Sequence, residues 1–165
     1  MKTLNLTGKK VAVIGSRTFA DKKRLYDVLN KNKDKIKLII SGGARGADTL
    51  ATEWAKDYGV PYLVFPACWH DENGEYDRGA GFRRNYYIIK YCDVCLAFWD
   101  LKSNGTAHSL DIAKQLNKPI KIISFQSPEE QKSLLEEGEP NKQKMVSTDL
   151  GAVGMIQDSL NQLPL

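Results

Sequence analysis

The stretch Ser41-Gly42-Gly43-Ala44-Arg45-Gly46-Ala47-Asp48 follows the apolar run Leu38-Ile39-Ile40 and leads into Ala47, Leu50, Ala51, Trp54, Ala55 and Tyr58. The apolar run is short and ends in glycines, as a buried strand does. The residues after it recur at three- and four-residue spacing, as one face of a helix does. Gly59 closes that helix, and Pro61 lies just beyond it. A strand that passes into a helix through three glycines leaves bare backbone N–H groups at the positive end of a helix dipole. Such a junction suits an anion, most often a phosphate.

The same alternation runs through most of the chain. Apolar runs occur at 11–14, 38–40, 62–65, 94–99 and 120–125. The first four are nearly continuous, which predicts strands buried on both faces. Helices are expected over 21–34, 47–58, 79–91 and 105–117. Strand–helix alternation of this kind predicts an α/β fold: a doubly wound parallel sheet of about five strands, with helices on both faces. Right-handed crossovers make 3-2-1-4-5 the simplest strand order. Ligands of such sheets bind outside the carboxyl ends of the strands, beside the first strand. Four segments fall at that edge: Gly15-Ser16-Arg17-Thr18-Phe19, the glycine-rich stretch after the second run, the loop 66–78, and a second phosphate-type loop, Asp100-Leu101-Lys102-Ser103-Asn104-Gly105-Thr106.

With 165 residues, 42% of them apolar, the chain can build one domain with a substantial core. The domain is expected over 1–125. Residues 126–165 read as a polar extension, with a short helix at 128–137 and a last helix over 145–163 that carries Met145, Val146, Leu150, Val153, Met155, Ile156 and Leu160. No apolar run reaches membrane length and no signal-peptide pattern opens the chain, so a cytoplasmic protein without a membrane partner is expected. Three cysteines, an odd number, do not form a disulfide framework. Cys92 and Cys95 read as core packing rather than as a redox pair or half a zinc site, because Cys95 lies inside a strand. With only His70 and His108, a histidine-rich metal site is excluded. No metal and no resident cofactor are expected.

Residues 1–37 hold eleven Lys/Arg against three Asp, and residues 126–165 hold three Lys against seven Asp/Glu. The basic residues of the first segment decorate a helix without aromatic residues between them. They read as a solvated face rather than as a nucleic-acid footprint. A basic head, an acidic tail and the apolar positions of 145–163 point to a homodimer or higher homo-oligomer.

The chain lacks a Walker A motif, a G-x-G-x-x-G after the first strand and a G-x-S-x-G elbow. The candidate anion-binding residues are therefore those the topology gathers. Gly15, Gly42, Gly43, Gly46 and Gly105 offer bare backbone. Ser16, Ser103 and Thr106 offer hydroxyls, and Arg17, Arg45, Arg83 and Arg84 offer guanidinium groups, with Asn85 beside them. Trp69 is a candidate to stack on a base. Asp48 is placed to hold a ribose hydroxyl or to complement a helix N-terminus. Asp100, at the end of the fourth strand, is the first candidate general base for an N-glycosidic hydrolysis, with Asp48 second.

Five motifs in order give the chain a family resemblance. They are Val13-Ile14-Gly15-Ser16-Arg17; Ser41 to Asp48 with Trp54-Ala55; Pro66-Ala67-Cys68-Trp69; Gly79-Ala80-Gly81-Phe82-Arg83-Arg84-Asn85; and Ala97-Phe98-Trp99-Asp100 with Ser103-Asn104-Gly105-Thr106. Over residues 10–125 the chain resembles the SLOG superfamily, in particular its YspA-like branch. The resemblance implies a Rossmann-like fold and a nucleotide-type ligand. Relatives include the LOG phosphoribohydrolases, the single-strand DNA binder of natural competence, and domains that sense nucleotide derivatives. The LOG enzymes are similar in carrying Pro-Gly-Gly-x-Gly-Thr-x-x-Glu with a catalytic glutamate. In this chain Ser109 stands at the glutamate position. The leading expectation is thus a binder of a nucleotide or nucleotide derivative. A phosphoribohydrolase acting on a nucleoside monophosphate comes second, and a single-stranded nucleic-acid binder third.

Overall fold

A computed structural model describes residues 5–136. Ten elements alternate strictly: β1 (Lys10–Gly15), α1 (Lys22–Asn30), β2 (Leu38–Ser41), α2 (Ala47–Tyr58), β3 (Tyr62–Val64), α3 (Ala80–Tyr91), β4 (Val94–Trp99), α4 (Asn104–Gln115), β5 (Ile120–Ser124) and α5 (Pro128–Glu136). The strands form one parallel sheet in the order β3-β2-β1-β4-β5. The expected fold class and strand order are therefore found.

The apolar residues divide between two layers because successive strand side chains point to opposite faces. Val11, Val13, Val94, Leu96 and Phe98 pack with Leu25, Leu29, Ala51 and Trp54 under α1 and α2. Ala12, Ile14, Cys95 and Ala97 pack with Ile88, Ile89, Leu110 and Ile112 under α3 and α4. Both thiols of the Cys92/Cys95 pair are buried and free, and burial pushes the Cys92 thiol up to about 11. That is the chemistry of packed cysteines, not of a reactive pair.

The structure departs from the sequence reading at two places. α1 ends at Asn30 rather than at 34, and residues 31–35 form tight turns. The Lys31-Asn32-Lys33-Asp34-Lys35 run offers no apolar side chain to hold a further helical turn on the core. β3 is not buried on both faces: Tyr62 and Leu63 are 43% and 37% exposed. The strand order makes β3 an edge, as the expected 3-2-1-4-5 order implies, so the full burial expected from its apolar run does not hold. α5 begins with a capping box in which Ser127 N donates to Glu130 Oε2 and Glu130 N to Ser127 Oγ. The helix expected over 145–163 lies outside the described residues.

Candidate functional site

Because all five strands are parallel, the loops after β1, β2, β3 and β4 and the N-termini of α1 to α4 share one edge. β1 lies between β2 and β4, so the two glycine-bearing loops flank it. α1 is closed in the ordinary way: the Asp21 side chain accepts from Arg24 N. α2, α3 and α4 open without any side-chain cap, at Gly46, Gly79 and Ser103. Three helix N-termini thus reach the same edge with first-turn amides that their own helices leave unpaired.

The Ser103 hydroxyl is diverted from capping α4. It donates to Asp100 Oδ1 at 2.8 Å and lies 2.7 Å from Ser16 Oγ, which in turn accepts from Asp100 N at 3.2 Å. Asp100 Oδ1 also accepts from Lys102 N and Ser103 N, at 3.0 and 2.8 Å. Burial pushes the Asp100 carboxyl up, but these hydrogen bonds together outweigh it and hold it below its ordinary 3.8. The same turn holds Leu101 at φ 64°, a left-handed conformation that a branched side chain adopts only when its surroundings impose it. Oδ1 of Asp100 therefore shapes the β4 loop.

Asp48, the second residue of α2, lies in its first turn and is buried. Its Oδ2 accepts from Gly42 N at 2.9 Å and Ala44 N at 3.3 Å. Burial raises its pKa to about 6, against the opposing pull of those amides and of the Arg84 and Arg17 charges. Of the two carboxylates, the one ranked second from sequence has the pKa nearer the working range of a general base.

Arg84 is the residue that ties the loops together. Its guanidinium donates to the carbonyls of Gly42 and Phe65, so the Gly42 peptide is held by Asp48 at its N–H and by Arg84 at its C=O. Next to it, Asn85 accepts from Arg84 Nε and reaches Gly105 O from Nδ2 at 3.5 Å. Two consecutive residues of α3 thus touch the β2 loop, the β3 loop and the first turn of α4. Arg83, its neighbour, turns the other way and forms an ion pair with Asp77. Truncating Arg84 to alanine is expected to lower stability by about 2 kcal/mol, since it removes two charge-assisted bonds to part-buried carbonyls. Chemical denaturation reads this directly, and a change within a few tenths of a kcal/mol would show that the loops hold without it.

The glycines separate into two kinds. A Cβ on Gly15 would stand 2.4 Å from Phe98 O, and one on Gly46 2.4 Å from Ser16 O. On Gly42 it would meet the Arg84 guanidinium, and on Gly43 it would come within 2.9 Å of Val64 Cγ1. Gly15 and Gly46 are closed in by backbone, and Gly42 and Gly43 by the side chains of Arg84 and Val64. Gly105, in the first turn of α4, has nothing within 4 Å of an added Cβ and no positive φ. Among the described glycines it alone has neither a neighbour nor a backbone angle that requires it.

Thr106, next after Gly105, is buried, and Arg17 lies near enough to Asp48 to bias its charge. Arg45 forms no ion pair with any described residue. Trp69 stands on the loop after β3, stacked with Tyr76. The sequence reading passed over Tyr76 and the hairpin that presents it. The signal was available in Asn73-Gly74, the dipeptide that most often turns a hairpin.

Comparison with known proteins agrees with this fold. The family model for the YspA, cpYpsA-related SLOG family matches residues 9–71, which contain β1, the Ser41–Asp48 stretch and the loop as far as Asp71. The Gene 61 protein of Mycobacterium phage D29 is 30% identical over 121 residues, spanning 68% of this chain and 94% of that protein. In structure the chain is similar to DNA processing protein A from Helicobacter pylori, solved for its single-stranded DNA binding mode. That match has a TM-score of 0.61 at 24% identity and covers 88% of this chain and 82% of the other. It is also similar to DNA processing protein A from Streptococcus pneumoniae, with a TM-score of 0.62 at 18% identity, covering 84% of this chain and 60% of the other. At those identities the two structures speak for the fold, while the phage relative and the matched motifs speak for kinship: the chain belongs to the YspA, cpYpsA-related SLOG family.

Proposed function

We propose that the domain binds a nucleoside monophosphate, or a derivative with the same phosphate–ribose unit, at the carboxyl edge of the sheet. The phosphate would rest on the first turn of α4. The observation that carries this reading is Gly105, which lies in the uncapped first turn of α4 and has no atom within 4 Å of where its side chain would begin. On this reading Arg17, whose charge reaches Asp48, would offset the phosphate, and Asp48 would hold a ribose hydroxyl. Family membership supports the same class of ligand. The single-stranded DNA bound by the Helicobacter pylori protein presents related phosphate chemistry on the same fold.

The test uses Gly105→Leu. Its Cβ enters open space at a helical position, so folding should be unaffected or improved by about 0.5 kcal/mol through the loss of glycine's freedom in the unfolded chain. Binding of nucleoside monophosphates should fall by at least about tenfold, equivalent to about 1.4 kcal/mol. Calorimetric titration with each monophosphate beside its nucleoside reads both claims. Equal affinity with and without the phosphate would sink the proposal.

A further inference from the structure

The loop between β3 and α3 is a built hairpin that displays aromatic rings beside this edge. His70 and Tyr76 form an antiparallel bridge. Asp71 N donates to Glu75 O at 2.9 Å, and Asp77 N donates to Trp69 O at 2.8 Å. Asp71 Oδ1 accepts from Asn73 N and Glu75 N, which fixes the turn. The hairpin is pinned to α3 through Asp77, which accepts from Gly79 N and pairs with Arg83. On this frame the Trp69 and Tyr76 rings lie nearly parallel, 8° apart with centroids 6.0 Å apart, and Tyr76 is 62% exposed.

The rings connect to the first turn of α4 through α3. An ideal Cβ on Gly81 would lie 3.1 Å from Trp69 Cη2, so Trp69 rests on the first turn of α3. Phe82, the next residue, is 49% exposed and meets His108 of α4 edge-on at 4.6 Å. Three residues further on, Asn85 reaches Gly105 O. One turn of α3 thus links the aromatic surface to the anion position, and a flexible-loop explanation does not fit rings held by this many hydrogen bonds.

The charge around the rings decides between ligands. Asp77 is neutralised by Arg83, but Asp71, Glu72 and Glu75 remain exposed on the hairpin, with the exposed Arg78 just after it. A phosphodiester strand laid from α4 across the rings would carry further phosphates onto these carboxylates. Like charges brought close together on a surface repel, and salt screens that repulsion only beyond roughly 8 Å. A single nucleotide would place only its uncharged base there. We infer that the 69–77 hairpin is the base-holding half of the site, stacking the base of a mononucleotide on Trp69 and Tyr76 and disfavouring a polynucleotide. The inference rests on the proposed phosphate site and specifies what lies beyond the ribose.

The test titrates the intact protein with the common ribonucleoside monophosphates, ribose 5-phosphate and a thymidine oligonucleotide, reading heat and tryptophan fluorescence. At least one monophosphate should quench Trp69 and bind more tightly than ribose 5-phosphate. Trp69→Ala should weaken it about tenfold, Trp69→Phe should restore most of the affinity, and Tyr76→Ala should weaken it less than Trp69→Ala. Joint Glu72→Gln and Glu75→Gln replacement should strengthen oligonucleotide binding and leave the monophosphate unchanged. The hairpin inference is overturned if ribose 5-phosphate binds as tightly as every monophosphate, or if Trp69→Ala and Tyr76→Ala bind like the parent. It is overturned equally if the oligonucleotide binds more tightly than every monophosphate. In the first two of these cases the phosphate site itself survives. Failure of ribose 5-phosphate and all monophosphates to bind overturns both.

Discussion

Replacing Gly46 by alanine is expected to destabilise the domain by about 4 kcal/mol, combining backbone strain with an overpacked contact. Gly46 sits at φ 84° and ψ −128°, a region that residues with a Cβ avoid. The added carbon would also stand 2.4 Å from Ser16 O and 2.9 Å from Arg17 O, both backbone atoms with no side-chain rotamer to relieve the clash. Relief would have to move the β1 turn. That turn is fixed on its other side by Ser16 N donating to Phe98 O, and by the Ser16 hydroxyl against Asp100 and Ser103. The same substitution at Gly105 meets none of these obstacles. Urea unfolding of the two variants beside the parent makes the comparison, and a loss below about 1 kcal/mol for Gly46→Ala would contradict the close approach.

That contrast marks where the sequence stopped being readable. Strand–helix alternation and the glycine–proline punctuation around Gly59 made the sheet order and α2 legible, because these are local signals of period and termination. The glycines of Ser41–Asp48 looked alike because their packing partners are distant in the chain: Arg84 for Gly42, Val64 for Gly43, Ser16 for Gly46. All three fell naturally under one explanation, exposed backbone for an anion, when the structure gives each its own neighbour. Arg84 and Arg83 were likewise indistinguishable as adjacent cations on a helix start. The helix turn of about 100° between them sends one into the loops and the other to Asp77. The gathering of these loops at one edge was foreseeable from topology. Which groups within it remain free for a ligand depends on tertiary contacts that no local pattern encodes.

Asp48 offers the second large effect, and it has a definite sign. An aspartate in the unfolded chain titrates near 3.8, and burial raises Asp48 in the folded protein to about 6. Below pH 3.8 both states hold the proton and the residue has no pH-dependent influence. Between 3.8 and about 6 the folded state binds the proton more strongly, so stability falls as pH rises through that window. Above about 6 both states are ionised and the full penalty is in place, roughly 3 kcal/mol at about 1.4 kcal/mol per pH unit. Asparagine can place its carbonyl oxygen where Asp48 Oδ2 accepts from Gly42 N and Ala44 N, keeping the loop while removing the charge. Asp48→Asn is therefore expected to match the parent near pH 4 and to exceed it by roughly 3 kcal/mol at pH 7. Urea unfolding of both proteins from pH 4 to 7 gives the difference directly and cancels the other titrating groups, including Asp100 and Glu130, whose lowered pKa values act in the opposite direction. A difference that is flat with pH would show that Asp48 is ionised without penalty, held by the nearby charges of Arg84 and Arg17. If the difference does open with pH, the parent keeps a carboxylate that weakens it at neutral pH. A charge kept at that cost beside the glycine-rich loop is what a group that contacts ligand would require.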